Sequence, residues 1–316
     1  MRKEIINRFF EDINQLKCLV VGDLMIDAYR FGKVSRISPE APVPVIEIES
    51  KEDRLGGAAN VAFNLKHLGA DPILLGTVGK DEQGQLLKDI LKEANMSTEG
   101  ILQVDSKITT VKTRVIAQHQ HLLRMDQEDC SELTSLEQEE LILRLKDICS
   151  SQKIDVIIFE DYNKGLLNRS FINEAISIAK SFNIPTTVDP KKANFKDFKG
   201  ATLFKPNKKE ILEGLKLEDN IKLEDLKKVT RDFASESDFD LVLLTLSEDG
   251  IMISDQSDTF SDRAHKRDIA DVSGAGDTFL SALAVEYMRS RDILSAIAFA
   301  NDCATQIVQK RGVSII

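Results

Sequence analysis

The chain has 316 residues, 42% of them hydrophobic and 30% charged, with a formal net charge of −10. That composition describes a folded globular protein with enough material for a sizeable core, in one large α/β domain or two smaller ones, and it excludes long disordered spans. The acidic balance, with no dense Lys/Arg block, argues against nucleic acid or an anionic membrane as the main partner, so a small anionic substrate needs a local basic pocket.

The N-terminal segment MRKEIINRFFEDINQLK carries a charge every few residues and reads as an amphipathic helix. It has no apolar run long enough for a signal peptide or a membrane span, which predicts a cytoplasmic protein. Cys18, Cys130, Cys149 and Cys303 show neither C-x-x-C pairing nor a histidine at zinc-ligand spacing, so reduced and mostly buried thiols are expected. KCLVVGD then reads as a first buried strand, and runs of the same kind follow in PILLGTVG, DVIIFED, PTTVDP, ATLFKPN and DLVLLTLS, with helical stretches between them. Such alternation predicts a parallel sheet covered on both faces, with ligands at the carboxyl ends of its strands. Two segments break the pattern. Residues 31–50 carry three prolines among alternating apolar residues, and 108–125 alternate without helical period. Both predict antiparallel ribbons, the prolines at an edge, forming a small β subdomain or lid. The charged stretch 213–228 reads as a solvated helix pair rather than a linker, which leaves one domain over 1–316.

Six motifs carry candidate chemistry. In GDLMID, Asp23 and Asp27 sit at a strand end, where paired carboxylates either accept from the hydroxyls of a polyol or serve as turn and cap residues. RLGGAAN places Gly56 and Gly57 as a hinge or a point of close ligand approach, with Asn60 in the first helical turn; a plain glycine-rich turn has the same appearance. In ITTVKTRVI, alternation puts Lys112 and Arg114 on one face, with Arg124 across the ribbon. That face either looks onto a substrate phosphate or is a solvated exterior, in which case Arg36 is the alternative partner for the phosphate. FKPNKKEI offers Lys205 to balance phosphate charge and Asn207 with Glu210 to hold a hydrated magnesium ion, and the same spacing makes a capping box. TLSEDGI puts Thr245 and Ser247 in a hairpin that can meet a nucleotide. Last, DVSGAGDTF precedes a helical pattern, so Gly274, Ala275 and Gly276 open a helix start to an anion or a developing oxyanion. Asp277 at its edge is either a helix cap or the group that takes a proton from a hydroxyl about to attack phosphorus.

GDLMID, GGAAN, KPNKKE, TLSEDG and DVSGAGDTF, in this order, resemble the ribokinase-like (PfkB) carbohydrate kinases across essentially the whole chain. The resemblance implies an α/β, three-layer αβα sandwich with a mostly parallel central sheet and a small β lid built from about 31–55 and 100–126. It implies Gly274, Ala275 and Gly276 as the anion hole, Asp277 as catalytic base, and Asp271 beside a monovalent cation such as K+, whose site Gly312 to Ser314 complete. Asp27, Gly57 and Asn60 would contact the sugar and Gly56–Gly57 would hinge the lid, with Asp23 and Asp161 as further sugar ligands. Asn207 and Glu210 match the family's N-x-x-E element for magnesium and phosphate, while Thr245, Ser247, Gly250 and Asn301 fall where the family binds ATP. SRISPEAPVPV, RLGGAANVA and DYNKG look most like the kinases of D-glycero-D-manno-heptose 7-phosphate, which act in ADP-heptose synthesis. Lys205 before Pro206 and Asn207 is a departure, shared with phosphofructokinase-like members. The sequence ends soon after the kinase pattern, so only kinase activity is expected, with a homodimer through the lid edges. The competing expectations are a hexose-phosphate, ribose or nucleoside kinase, or a noncatalytic sugar or nucleotide sensor.

Overall fold

In this computed structural model the described residues are 13–14, 16–118, 120–246, 250–262 and 274–308. The six apolar runs form strands β1 (Lys17–Gly22), β4 (Asp71–Gly79), β8 (Val156–Glu160), β9 (Thr186–Asp189), β10 (Leu203–Phe204) and β11 (Leu241–Thr245). They lie parallel in the order β11-β10-β9-β8-β1-β4. The sheet is completed at one edge by β5 (Ile101–Val104), parallel to β4, and at the other by β12 (Ile251–Ser254) and β13 (Thr259–Asp262), both antiparallel.

Strand alternation divides the core in two. Cys18 and Val20 of β1 and Val156 and Ile158 of β8 face one apolar layer, whereas Leu19, Val21, Ile157 and Phe159 face the other. The first layer is closed by helices α1 (Ala58–His67), α2 (Glu82–Glu93), α7 (Ala275–Ser290) and α8 (Ile293–Val308). The second is closed by α3 (Ser135–Ser151), α4 (Arg169–Ser181), α5 (Lys208–Leu215) and α6 (Leu223–Glu236). A mostly parallel sheet with helices on both faces is the α/β sandwich expected from the alternation.

A second, four-stranded sheet has the order β3-β2-β6-β7, from β2 (Leu24–Ile37), β3 (Pro44–Gly57), β6 (Thr110–Ala117) and β7 (Gln120–Gln127). It leaves the main sheet at the end of β1 and returns directly into α1, where the Ala58 N–H donates to the Asp23 carbonyl at 3.0 Å. Pro44 starts the edge strand β3, where a missing N–H costs no ladder bond. Two boundaries differ from expectation. Residues 24–30 belong to the small sheet because β2 begins immediately after Asp23, and 101–104 belong to the main sheet, where β5 pairs with β4. Strand order reverses at β1, flanked by β8 and β4, so the crevice at the carboxyl ends of β1 and β8 is the place for a ligand. The small sheet starts at that crevice.

Candidate active site

Asp277 is buried in the first turn of α7. Gly274 is the N-cap in the left-handed region (φ 79°), and no side chain caps this helix start. The carboxylate turns instead toward other elements: Asn60 Nδ2 of α1 donates to Oδ2 at 2.7 Å, and the Tyr162 hydroxyl donates to Oδ1 at 3.0 Å. Asp277 is therefore not spent on capping. Asn60 is itself oriented, since its Oδ1 accepts from Asn64 Nδ2 at 3.2 Å and Asn64 Oδ1 accepts from the Thr278 hydroxyl at 3.2 Å. A relay of buried amides from α7 through α1 thus aims a donor at the carboxylate. Burial pushes the Asp277 carboxyl up to about 6 against the opposing pull of the Asn60 bond, with Asp189 adding to the rise. That value suits a base working near neutral pH. Beside it, a Cβ added to Gly276 would meet nothing within 4 Å. Among the described residues packing does not require glycine there, and a small residue leaves the free N–H groups of the helix start open to an anion.

The small sheet brings charge to this edge. Lys112 is buried with Nζ 4.6 Å from the Tyr162 ring centroid, and Arg114 ion-pairs with Asp27 while its guanidinium lies 5.4 Å from the Tyr29 ring centroid. Gly56 and Gly57 are shaped by close approach: a Cβ would come within 2.5 Å of Asp27 Oδ2 at Gly56 and of the Asp23 carbonyl at Gly57, where φ is also 57°.

On the far side of Tyr162 lies a network of carboxylates and lysines at the ends of β8, β9 and β10. Lys205 Nζ contacts Asp189 Oδ2 at 2.9 Å, and Lys191 Nζ contacts Asp189 Oδ1 at 3.5 Å and Glu210 Oε1 at 2.5 Å. Burial alone would push Lys191 down, but Asp189, Glu210 and Glu160 outweigh it and hold the ammonium charged. Glu160 stands beside Asp189 in register, with both carboxyl oxygens buried and, among the described residues, without a hydrogen-bond partner. Burial first, and then Asp189 and Asp277, push its carboxyl well above the usual range.

The pfkB family carbohydrate kinase model matches residues 15–316. The chain belongs to the pfkB family. Among curated relatives, the "Bifunctional protein HldE" of Campylobacter jejuni subsp. doylei is 40% identical over 296 residues, covering 94% of this chain and 62% of the relative. The same-named protein of Pelobacter propionicus is 36% identical over 321 residues, covering 100% and 64%. The chain thus spans under two thirds of the length of these relatives. Phosphofructokinase-2 from Escherichia coli in complex with potassium shares the fold with a TM-score of 0.78 at 17% identity, over 95% of this chain and 94% of the other. Arabidopsis thaliana ribokinase complexed with ribose and ATP does so with 0.71 at 16% identity, over 94% of each.

Within this PfkB fold the candidate residues separate into groups. Asp277, Gly274, Ala275, Gly276, Asn60, Asp27, Gly56, Gly57, Lys112 and Arg114 gather around the β1–β8 crevice. Asn207, Glu210 and Thr245 gather beside it: Asn207 and Glu210 form a capping box, and Asn207 bridges Thr245 in register. Gly250, with φ 98°, closes the hairpin after β11 by accepting from the Leu246 N–H at 2.8 Å. Asn301 is exposed on α8. Arg124 opposes Arg114 across the ladder, but its side chain is exposed and pairs with Asp126. Ser247, Asp271 and Gly312 to Ser314 lie outside the described residues.

Three of the expected residues are already engaged in the structure. Asp23 and Asp161 hold backbone N–H groups through their carboxylates. Asp23 Oδ2 accepts from the N–H groups of Tyr162 at 2.8 Å and Lys164 at 3.1 Å. Asp161 accepts from the Asn163 N–H at 2.7 Å, the Lys191 N–H at 3.3 Å and Asn194 Nδ2 at 3.1 Å. Lys205 does not present a free cation to phosphate, since its side chain is only 5% exposed and neutralises Asp189. Sequence reasoning missed Tyr162, Asp189, Lys191 and Glu160. All four stand at or just past the carboxyl end of a strand, which was the available signal.

Proposed function

We propose that this chain transfers the γ-phosphoryl group of ATP to the anomeric hydroxyl of D-glycero-D-manno-heptose 7-phosphate, giving the 1,7-bisphosphate for ADP-heptose synthesis. The observation that carries this reading is the Asp277 carboxylate, buried beside an open helix start and held by Asn60 and Tyr162, with the cations of the small sheet on the same crevice. Asp277 takes the proton of the attacking hydroxyl. The N–H groups at Gly274, Ala275 and Gly276 stabilise the phosphoryl group as its charge redistributes. Asn60 and Asp27 orient the sugar hydroxyls, and Arg114 with Lys112 receives the sugar's 7-phosphate, Arg114 leaving Asp27 for a fork-shaped contact with phosphate oxygens. Arg124 stands at the rim. The small sheet acts as a lid hinged at Gly56–Gly57, and its closure keeps water from the γ-phosphoryl group.

Thr245, Gly250 and Asn301 belong to the nucleotide side, with Ser247 outside the described residues. Magnesium, when bound, neutralises triphosphate charge. Among the described residues no three His, Cys, Asp or Glu side chains converge as a direct metal cage. The hard carboxylate oxygens of Glu210 and Asp189 suit a hydrated Mg2+ that keeps waters and phosphate oxygens in its shell. A monovalent cation beside Asp271 belongs to the same reading. The exposed apolar residues Ile37, Ile48, Leu123 and Met125 on the small sheet support a homodimer formed through it. Among the described residues no helix is long and apolar enough to cross a membrane; the location proposed is the cytoplasm. An ADP-release assay with ATP, Mg2+ and a panel of heptose 7-phosphate, fructose 6-phosphate, ribose and nucleosides tests the proposal. Turnover confined to a non-phosphorylated acceptor would refute it.

A further inference from the structure

The network at the ends of β9 and β10 contains two lysines with different exposure. Lys205 is sealed in, 5% exposed, against Asp189. Lys191 shares Asp189 but leaves 30% of its side chain exposed. Its backbone is pinned by the bond from its N–H to Asp161 Oδ2, 3.3 Å, so the loop places the side chain while part of it stays exposed. From there Nζ reaches both halves of the crevice. It lies 2.5 Å from Glu210 Oε1, in the capping box of α5, and 5.4 Å from the ring centroid of Tyr162, whose hydroxyl is 3.0 Å from the Asp277 carboxylate. A phosphoryl group passing from a nucleotide on the Asn207–Glu210 side to a hydroxyl on the Asp277 side must cross that span.

The carboxylates around this span favour a cation there beside any bound magnesium. Asp189, Glu210 and Asp277 border it, and an ionised carboxylate repels an incoming triphosphate. Lys205 cannot offset this for a ligand, because its charge is consumed by Asp189 in a sealed contact. Lys191 can exchange Glu210 for a phosphoryl oxygen by a small side-chain rotation, keeping Asp189 as its anchor.

We propose that Lys191 is a catalytic residue, the cation that contacts the transferred phosphoryl group between nucleotide and acceptor. The inference rests on the kinase reading of the site. In the step, the acceptor oxygen forms a bond to the γ-phosphorus and the bond to the bridging oxygen of ADP breaks, its electron pair leaving with ADP. The hydroxyl proton goes to Asp277, and Lys191 keeps its protons, donating hydrogen bonds to the equatorial oxygens in flight.

The test uses the full chain with Lys191→Met and Lys191→Gln, the second retaining a donor for Glu210 and so protecting the fold. Affinities for ATP and for ADP are measured by calorimetry with Mg2+ and without any sugar. Because Lys191 meets the γ-phosphoryl group, each variant is expected to lose at least about tenfold more affinity for ATP than for ADP, and kcat falls by roughly 10²–10³ where turnover is assayed. A role confined to neutralising Asp189 and Glu210 would weaken both nucleotides alike, and that result, or a kcat within about threefold of wild type, overturns the proposal. Wild-type turnover of a phosphorylated sugar scores the kinase reading separately, since the nucleotide comparison needs no acceptor. A wild-type chain that binds neither nucleotide would overturn both.

Discussion

Replacing Tyr162 by Phe removes one hydroxyl and leaves the aromatic ring that lies near Lys112 and Lys191. The lost group is the donor 3.0 Å from Asp277 Oδ1, one of two hydrogen bonds that hold the carboxylate in its ionised form against burial. A hydrogen bond to a charged group contributes about 1.5–3 kcal/mol, equivalent to roughly 1–2 pKa units. Starting from about 6, the base in Tyr162→Phe is expected to titrate between roughly 7 and 8. In wild type, activity is expected to rise with pH through about 6, because on the proposed mechanism the ionised carboxylate is the form that accepts the proton. At pH 7 about nine-tenths of the wild-type base is ionised, against about one-half to one-eleventh in the variant, so kcat/KM falls by roughly two- to tenfold. Above about pH 9 the base is ionised in both proteins and the difference closes. The assay is kcat/KM from pH 5 to 9.5 with a coupling system that stays in excess throughout. An unshifted midpoint, with a loss that persists at pH 9, would refute the role of Tyr162 in setting the base.

Arg114→Ala is expected to raise KM for the phosphorylated sugar by roughly 10- to 100-fold, the cost of a charge-assisted contact, while KM for ATP changes little; steady-state kinetics in both substrates checks it, and equal sensitivity of the two constants contradicts it. Gly276→Ala places a methyl group in open space, so urea unfolding is expected to show a neutral or slightly stabilising change, by up to about 1 kcal/mol, while kcat falls because the methyl group enters the phosphoryl cradle. A variant of full activity would place the phosphoryl group elsewhere. Glu160→Gln tests the buried carboxyl that has no partner among the described residues. Its pKa is raised in the folded protein, so above the ordinary glutamate value the unfolded chain releases a proton that the native state keeps, and stability falls as pH rises until the folded group also ionises. The Gln variant lacks this slope, at most about 1.4 kcal/mol per pH unit, and is expected to be the more stable protein at pH 8 by chemical unfolding. Identical pH dependences of stability would mean that Glu160 finds a partner in solution.

The parallel core was legible because its strands are buried on both faces and read as unbroken apolar runs ending in polar residues, as in CLVVGD and DVIIFED. The short edge strand β5 was not, since ILQV has neither length nor a distinctive period and follows a turn that could equally begin the lid. Asp277 was legible through the glycines before it. Whether it capped its helix was a question of direction, decided by Asn60 and Tyr162, which lie far away along the chain. Alternation put Lys112 and Arg114 on one strand face, and the contacts to Tyr162 and Asp27 show which way that face points. Asp23 and Asp161 looked like ligands because they end strands, yet their carboxylates already hold N–H groups of the neighbouring turns. Lys191 and Lys205 are indistinguishable as residue types; sheet register seals one and leaves the other at the crevice.

Phosphorus-31 NMR of the purified protein with ATP, Mg2+ and D-glycero-D-manno-heptose 7-phosphate tests the central claim most directly. The account predicts stoichiometric conversion of ATP to ADP with a new sugar phosphate resonance at the anomeric position, beside the retained 7-phosphate, and no such resonance with Asp277→Asn. ATP that stays intact beside the heptose 7-phosphate, or a new phosphate on any other hydroxyl, would contradict it.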